Sequence, residues 1–179
     1  MELRTIIVKG VIISLISFIV SCAPKAKVVD LKENFDPNEV SWIFQGGNNT
    51  ISGEAFLRTI GGEVRTCAGL DVILIPVSRY STKRIQVLYG NTNAGYIPLF
   101  SGKRIVFKPD PPLYYKYMKK AKCDASGHFK FTNLPNGEYY IIANVMWSVG
   151  GYIPSQGGYL MQRVKVNGGE TREIIMTYP

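Results

Sequence analysis

The sequence contains few of the side chains from which catalytic and metal-binding sites are built. Among its 179 residues there is one histidine, His128, and there are three cysteines. No serine lies in a Gly-x-Ser-x-Gly turn, no glycine-rich phosphate loop precedes a helix, and no paired carboxylates occur at suggestive positions. His128 lies in an alternating pattern near Lys130, which indicates a solvent-exposed strand residue. We therefore predict that the protein is not an enzyme and has no metal or cofactor site.

A long apolar run is also missing, and the amino-terminal segment has the pattern of an export signal. Arg4 and Lys9 precede an apolar stretch at residues 11–20 that is interrupted only by serines. The stretch is too short to span a bilayer comfortably, whereas a basic, an apolar and a small-residue region in this order are typical of a secretory signal peptide. We predict a signal peptide at residues 1–21. The alternatives are a transmembrane anchor and an ordinary secreted protein with a chance cysteine.

The end of this signal, Ile-Val-Ser-Cys at residues 19–22, resembles the lipobox of bacterial lipoproteins. The resemblance implies cleavage before Cys22, a diacylglycerol on its thiol and an acyl chain on its new amino group. Several acyl chains, at about 0.8 kcal/mol per buried methylene, would make the anchor stable. Ala23 stands where an aspartate is the usual inner-membrane retention signal in such lipoproteins, so we expect the outer membrane. Residues 22–49 show no sustained periodicity and predict a flexible tether. The apolar residues 40–44 interrupt it and could be a first edge strand or a docking segment for a partner.

Basic residues outnumber acidic ones, since 21 Lys and Arg against 13 Asp and Glu give a formal charge of +8. An exported lipoprotein does not meet nucleic acid in its working compartment, so we exclude that partner. Anionic lipid headgroups, cell-wall polymers and an acidic partner protein stay as candidates. A basic surface that only keeps the protein soluble is the alternative.

The clearest structural pattern lies at residues 123–145. Phe129 and Phe131 alternate with polar residues, and after a break at residues 134–137 apolar residues return at every second position. Pro135 presets φ for a turn and Gly137 can take a positive φ at its end. The pattern predicts a β-hairpin with one buried and one solvent-exposed face.

This stretch, D-x-x-G-x-F-x-F-x-N-L-P-x-G-x-Y-x-I-x-A from Asp124, resembles the core hairpin of carboxypeptidase regulatory-like (prealbumin-like) domains. The I-x-G-x-A motif at Ile51 resembles their first strand. The resemblance covers residues 51–77 and 123–177, and implies a small antiparallel β-sandwich of Greek-key type that binds or scaffolds without peptidase activity. We predict a mainly β domain at residues 50–179 with one core.

Two further segments of this domain have clear strand patterns. The continuous β-branched run at residues 72–77 predicts a buried strand, with Pro76 at its end. Asn167-Gly168 between the apolar runs at residues 164–166 and 174–176 predicts a final hairpin.

The middle segment, residues 78–122, is too long for a simple connection, and we treat it as a partly helical insertion. Ser81-Thr82 predicts the cap of a short helix that carries Ile85 and ends at Gly90. A strand at residues 104–107 and a second helical turn at residues 113–120 follow.

Cysteine pairing adds a tertiary constraint. With Cys22 assigned to lipid, Cys67 and Cys123 form an even pair in an oxidising compartment and predict a disulfide bond. Such a bond would close a loop of about 57 residues and stabilise the fold by about 4 kcal/mol on the chain-entropy model. Two free buried thiols are the alternative.

Aromatic and basic residues are concentrated in two places, which we predict to form the main partner-binding surface. Tyrosine supplies contact area at low entropic cost and lysine attracts anionic surfaces. Some of these tyrosines could instead belong to the core. The predicted contact residues are Tyr114, Tyr115, Lys116, Tyr117, Lys119 and Lys120 in the insertion, with Trp147 and Tyr152 in the glycine-rich loop at residues 147–158.

Two classes of function fit these observations. In the first, the protein is an outer-membrane lipoprotein that acts as a structural or interaction module, for example as an accessory subunit of a larger envelope or secretion assembly. In the second, the domain binds polysaccharide or peptidoglycan through stacking on the Tyr- and Trp-bearing loops.

Replacing Cys22 with alanine tests the predicted anchor. Because the thiol accepts the diacylglycerol, the Cys22→Ala variant should lose acyl labelling and accumulate in an uncleaved or soluble form. Metabolic labelling with a fatty acid, followed by membrane fractionation, measures both effects. Unchanged acyl labelling in this variant would refute the lipoprotein prediction.

Overall fold

The computed structural model describes residues 26–101, 104–151 and 153–178. The predicted signal peptide, Cys22 and Tyr152 lie outside the described residues. The elements are the strands β1 (Lys27–Asp30), β2 (Asn49–Arg58), β3 (Val64–Thr66), β4 (Asp71–Pro76), β5 (Ala94–Pro98), β6 (Ile105–Lys108), β7 (Lys119–Lys122), β8 (His128–Leu134), β9 (Gly137–Trp147), β10 (Gln156–Val166) and β11 (Thr171–Met176), the helices α1 (Arg79–Tyr89) and α2 (Pro112–Lys116), and the 3-10 turns Pro37–Glu39 and Ser41–Phe44.

Two packed sheets form a mainly β sandwich, as the sequence predicts. The first sheet is antiparallel and has the strand order β5-β10-β9-β4-β7. The second is centred on β2, which pairs antiparallel with β8 and β3 and parallel with β11. Residues from the facing sides of both sheets form the main core. This core includes Ile51, Leu74, Phe129, Tyr139 and Leu160.

The predicted hairpin at residues 123–145 is correct in its buried and exposed faces but wrong in its pairing. Phe129 and Phe131 are buried, and a turn separates β8 from β9 as expected. However, β8 pairs with β2 in one sheet, while β9 pairs with β4 and β10 in the other. The chain therefore crosses from one sheet to the other at residues 135–136. Alternation in a sequence specifies which face of a strand is buried, but not which strand is its neighbour.

The predicted final hairpin is wrong for the same reason. β10 belongs to the five-stranded sheet, whereas β11 runs parallel to β2, with Thr171 opposite Thr50. The Asn167-Gly168-Gly169 turn is present, and both glycines have positive φ. This turn is thus a second crossing between the sheets.

One buried side chain joins the two crossings. Asn49 is fully buried, and its amide nitrogen donates to the Leu134 carbonyl at 2.9 Å and to Asn136 Oδ1 at 3.0 Å. Its amide oxygen accepts from the backbone N–H groups of Gly169 at 2.8 Å and Glu170 at 3.1 Å. A single amide thereby satisfies backbone groups in both crossing segments.

The insertion at residues 78–122 is part of the sheet structure. It supplies both edge strands of the five-stranded sheet, since β5 pairs with β10 and β7 pairs with β4. Its helix α1 is confirmed, although Ser78 and not Ser81-Thr82 is the N-cap; Gly90 ends the helix in the left-handed conformation. α1 lies over the outer face of this sheet and builds a second core, which includes Tyr80, Ile85, Tyr140 and Met161.

The segment predicted as a tether is folded throughout its described part, residues 26–49. β1 pairs in parallel with β6, the strand expected at residues 104–107, and Leu31 is buried in the second core. Val40 and Ile43 are fully buried. The prediction of a flexible tether is therefore wrong for these residues. Their apolar side chains show no periodicity because they fill separate gaps along the sandwich and the insertion.

The predicted disulfide bond is present. Cys67 follows β3 in one sheet and Cys123 follows β7 in the other, with 5.8 Å between their Cα atoms. The bond therefore ties the two sheets together at one edge of the sandwich.

No helix among residues 26–101, 104–151 and 153–178 is long and apolar enough to cross a bilayer.

Replacing Asn49 with alanine tests the role of the buried amide. The Asn49→Ala variant removes the hydrogen bonds to the Leu134 carbonyl and to the Gly169 N–H, one in each crossing, and should lower the free energy of unfolding by roughly 1 to 3 kcal/mol. The neighbouring Asn48 is exposed, so Asn48→Ala should stay within about 0.5 kcal/mol of the parent. Urea denaturation followed by fluorescence measures both. Equal stabilities of the two variants would contradict the assigned role.

Candidate functional site

A cleft of about 500 Å³ opens at one end of the sandwich, where the β2–β3 and β9–β10 turns meet. We call it the Trp147 cleft. It combines one large aromatic ring with two charged groups and several polar side chains. Its lining consists of Thr59, Ile60, Gly61, Glu63, Arg65, Trp147, Ser148, Val149 and Gln156.

The β2–β3 turn forms one wall of the Trp147 cleft and is held by local hydrogen bonds. The Thr59 N–H donates to the Glu63 carbonyl at 2.9 Å, and the Glu63 N–H donates to the Thr59 hydroxyl at 3.1 Å. Gly62 takes a φ of 85°, which a residue with a Cβ adopts only with strain. The turn presents an exposed pair of opposite charges, because Arg65 Nη2 lies 2.5 Å from Glu63 Oε2.

The opposite wall comes from the end of β9 and the start of β10. Trp147 is the last residue of β9, lies opposite Gln156 of β10, and packs its ring partly against the main core. Gly157 beside it must be glycine, because a Cβ there would lie 2.0 Å from the Val145 carbonyl oxygen. No hydrogen bond joins the Trp147 indole to another residue that the structure describes.

The chemistry of the Trp147 cleft suits a polar ligand that contains a saturated ring. The face of an aromatic ring carries negative charge density and attracts polarised C–H groups. Glu63 can accept hydrogen bonds from hydroxyl groups, while Arg65 and Gln156 can donate them, and charge-assisted hydrogen bonds are the stronger ones. An apolar surface with a few converging polar groups is typical of small-ligand sites.

The structure divides the predicted contact residues among different environments. Tyr114 is 3% exposed in the second core, so its assignment to a binding surface is wrong. Tyr117 is half-buried between Phe35 and Phe44, with ring centroids 5.3 and 4.9 Å away. Tyr115, Lys116 and Lys120 are exposed, and Lys119 is half-buried.

An arginine at the centre of an aromatic cluster explains the burial of Tyr114. The Arg84 guanidinium lies 4.2 Å from the Phe107 ring centroid and 4.9 Å from that of Tyr114. It pairs with Asp110 at 2.5 Å, and Asp110 also accepts from the Tyr115 hydroxyl at 2.8 Å. Burial alone would lower the pKa of Arg84, but its hydrogen bonds to Asp110 and Tyr80 raise the pKa above its ordinary value. Burial also raises the pKa of Tyr114.

Trp147 does not share a surface with the tyrosine and lysine residues of the insertion. Tyr117 precedes β7, whose Lys119 lies level with Ile141 of β9 across β4. Trp147 lies at the far end of β9, six residues beyond Ile141, which corresponds to roughly 20 Å along the strand. The structure therefore separates the predicted surface into two parts, and the position of Tyr152 lies outside the described residues.

A wider groove of about 610 Å³ lies between β7 and β8, and its lining carries charges of both signs. Lys120, Lys122 and Lys130 face Asp124 and Glu173 there. Backbone N–H groups of His128 and Ser126 donate to the Asp124 carboxylate and lower its pKa. No group of three metal-ligating side chains occurs in the described part of the chain.

His128 lies in this groove and is exposed, as expected from its place in the alternating pattern. Its Nδ1 is 3.4 Å from an Asp124 oxygen and its Nε2 is 3.8 Å from a Glu54 oxygen. These contacts belong to the surface of the sheet and bring no nucleophile next to the imidazole.

The comparisons with known proteins support the fold and supply one functional indication. No family model matches the chain, and no curated protein sequence matches it. The chain is similar to a crystal structure of a candidate carbohydrate-binding protein from Pseudomonas aeruginosa, with a TM-score of 0.67 and 25% identity. The match covers 82% of this chain and 99% of the other. The two proteins therefore share an architecture over nearly the whole of that protein.

Trp147 and its loop at residues 147–158 were predicted from the sequence, but the wall formed by the β2–β3 turn was not. Glu63, Arg65 and Gln156 carry no motif, and they stand on two turns that are more than 80 residues apart in the sequence. The only available signal was the presence of two glycine-containing turns, Gly61-Gly62 and Gly150-Gly151. Strand patterns give no information on which turns lie at the same end of a sandwich.

Truncating Tyr114 tests its reassignment from surface to core. The Tyr114→Ala variant should lose roughly 3 to 5 kcal/mol of stability, as expected for a large aromatic side chain removed from a core. Tyr115→Ala is the matched control and should cost about 1 kcal/mol, because that ring is half exposed. Thermal unfolding followed by circular dichroism distinguishes them. A Tyr114→Ala variant as stable as the control would contradict the assignment of Tyr114 to the core.

Proposed function

We propose that the protein is a lipid-anchored envelope module whose sandwich domain binds a glycan, as polysaccharide or peptidoglycan, in the Trp147 cleft. The observation that carries the proposal is the Trp147 ring, which lines the same cleft as the Glu63–Arg65 ion pair. The similarity to a candidate carbohydrate-binding protein supports the same class of ligand. The lipobox at residues 19–22 supports the anchor.

A sugar ring matches this arrangement better than a flat or purely charged ligand. The axial C–H groups of a pyranose can pack on the indole ring, while its hydroxyl groups can reach Glu63, Arg65 and Gln156. An isolated cleft of this size can contact only one or two sugar units, so single-site affinity is low. Many anchored copies facing one polymer compensate through multivalency, since each further contact becomes intramolecular.

A protein partner is the second candidate, and one observation favours it. Phe44 is 65% exposed, and its ring lies 4.9 Å from that of Tyr117, which is followed by the lysines of β7. Aromatic side chains are enriched at protein interfaces, and the nearby lysines would attract an acidic partner. This patch lies away from the Trp147 cleft, so the two functions can be tested separately.

Removing the two aromatic side chains one at a time separates these functions. For the lipidated protein in detergent, Trp147→Ala should reduce binding to purified peptidoglycan or insoluble polysaccharide roughly tenfold, because a stacking surface is lost. Glu63→Gln should weaken it several-fold, and we expect the variant to fold normally because the side chain is exposed. Phe44→Ala is the matched control and should bind glycan like the parent.

Sedimentation with the insoluble glycan measures this binding, and thermal unfolding verifies that each variant is folded. Retention of full glycan binding by both Trp147→Ala and Glu63→Gln would exclude the Trp147 cleft as the glycan-binding site. Loss of protein cross-links in Phe44→Ala cells, with no effect of Trp147→Ala, would favour the interaction module.

A further inference from the structure

The β1–β6 ribbon is a separate two-stranded unit on the outside of the molecule. Its strands are parallel, with Val28 opposite Val106, and pair with neither of the two main sheets. Phe107 and Leu31 on its inner side are buried in the second core. On its outer side Val28 is 54% exposed and Val106 is 37% exposed. The ribbon thus presents an uncovered apolar pair to the surroundings.

Four basic residues lie around this apolar pair, and one acidic residue of the ribbon, Asp30, lies opposite Lys108. Lys27 and Arg104 stand at the start of the ribbon, and Lys32 and Lys108 stand at its end. No ion pair joins any of the four to another described residue. Of the acidic residues on β1 and directly after it, Asp30 accepts a hydrogen bond from the Lys32 N–H at 3.0 Å, and Glu33 lines a pocket beside α1.

The length of chain between the predicted anchor and the ribbon is short. Both strands begin at the same end, where the Lys27 N–H donates to the Arg104 carbonyl at 2.7 Å. Five Cα-to-Cα steps separate Cys22 from Lys27, and an extended chain spans at most about 3.6 Å per residue, so Lys27 lies within about 18 Å of Cys22. Phe100, which precedes Arg104 by four residues, is 66% exposed. An acylated Cys22 would therefore hold a basic and apolar tip at the membrane surface.

We infer that the β1–β6 ribbon, through Lys27, Val28, Arg104 and Val106, seats on the anionic lipid headgroups of the membrane that holds the anchor. The inference rests on the lipid anchor of the proposed function and is independent of glycan binding. Basic residues close to an acyl anchor are attracted to anionic lipid, and the attraction fades within a Debye length. The ribbon and the outer face of the β2 sheet lie on opposite sides of the molecule, because the five-stranded sheet separates the two cores. That outer face therefore points away from the membrane.

Cysteine accessibility in the full lipidated protein tests this orientation. The protein is inserted from detergent into preformed phosphatidylcholine vesicles with or without phosphatidylglycerol, and alkylation by a membrane-impermeant maleimide is timed. With phosphatidylglycerol, the Val28→Cys variant should react roughly tenfold more slowly than in pure phosphatidylcholine. Thr132→Cys, exposed on the outer face of β8, is the matched control and should react equally in both.

Charge reversal tests the electrostatic part of the inference. In the Val28→Cys background, Lys27→Glu with Arg104→Glu should abolish the slowing. Lys130→Glu with Arg172→Glu changes the net charge equally on the opposite side and should preserve it. High salt should also abolish the slowing, as Lys27→Glu with Arg104→Glu does, because it screens the attraction to anionic lipid.

Flotation of the vesicles distinguishes loss of the lipid anchor from loss of the contact between the β1–β6 ribbon and the headgroups. A protein that floats, but whose Val28→Cys variant reacts equally fast with and without phosphatidylglycerol, would overturn the seating of the ribbon alone. A protein that does not float would overturn the anchor and the seating together. Slowing that both charge-reversed pairs retain would also overturn the assignment to lipid charge.

Discussion

The buried amide of Asn49 holds together the two places where the chain crosses from one sheet to the other. The chain twice leaves one sheet for the other, at residues 135–136 and 167–170, and each crossing brings backbone groups to the edge of the core. Such groups must find partners, because an unsatisfied buried N–H or C=O costs about 1 to 3 kcal/mol. Asn49 supplies partners to both crossings from one position at the start of β2. The two sheets therefore share a corner that is held by the hydrogen bonds of one side chain.

The insertion and the disulfide bond also hold the sandwich together, at the edges and on the outer face of the five-stranded sheet. Segments of the insertion close both edges of the five-stranded sheet, and α1 covers its outer face through the second core. Cys123, which follows directly after the insertion, is bonded to Cys67 at the margin of the other sheet. The Arg84 cluster then holds α1 against the segment at residues 107–115 through ring contacts and one ion pair. A protein without this insertion would expose two open edges and an apolar sheet face.

The positions of individual strands and helices could be predicted from the sequence, but the neighbours of each strand in the sheets could not. The alternation around Phe129 and Phe131 correctly gave a strand with one buried face, and the spacing of Ile85 before Gly90 correctly gave a helix. The partner strands of β8 and β11 are set by side chains more than 80 residues away, such as Asn49, so both expected hairpins were wrong. Tyr114 lies within a lysine-rich segment, and its burial depends on Arg84 in a different element. The Trp147 cleft could be predicted only as one aromatic residue, because two distant turns build it.

The parallel pairing of β2 with β11 has a consequence for the order in which the protein is made. β2 emerges from the ribosome about 120 residues before the strand that covers its edge, because Thr50 lies opposite Thr171. Until then β2 is an open strand edge, the kind of surface from which aggregation starts. Folding of this sheet is therefore dominated by long-range contacts and is slow in comparison with that of locally paired strands. The sheet centred on β2 is therefore complete only after β11, the last strand, has been synthesised.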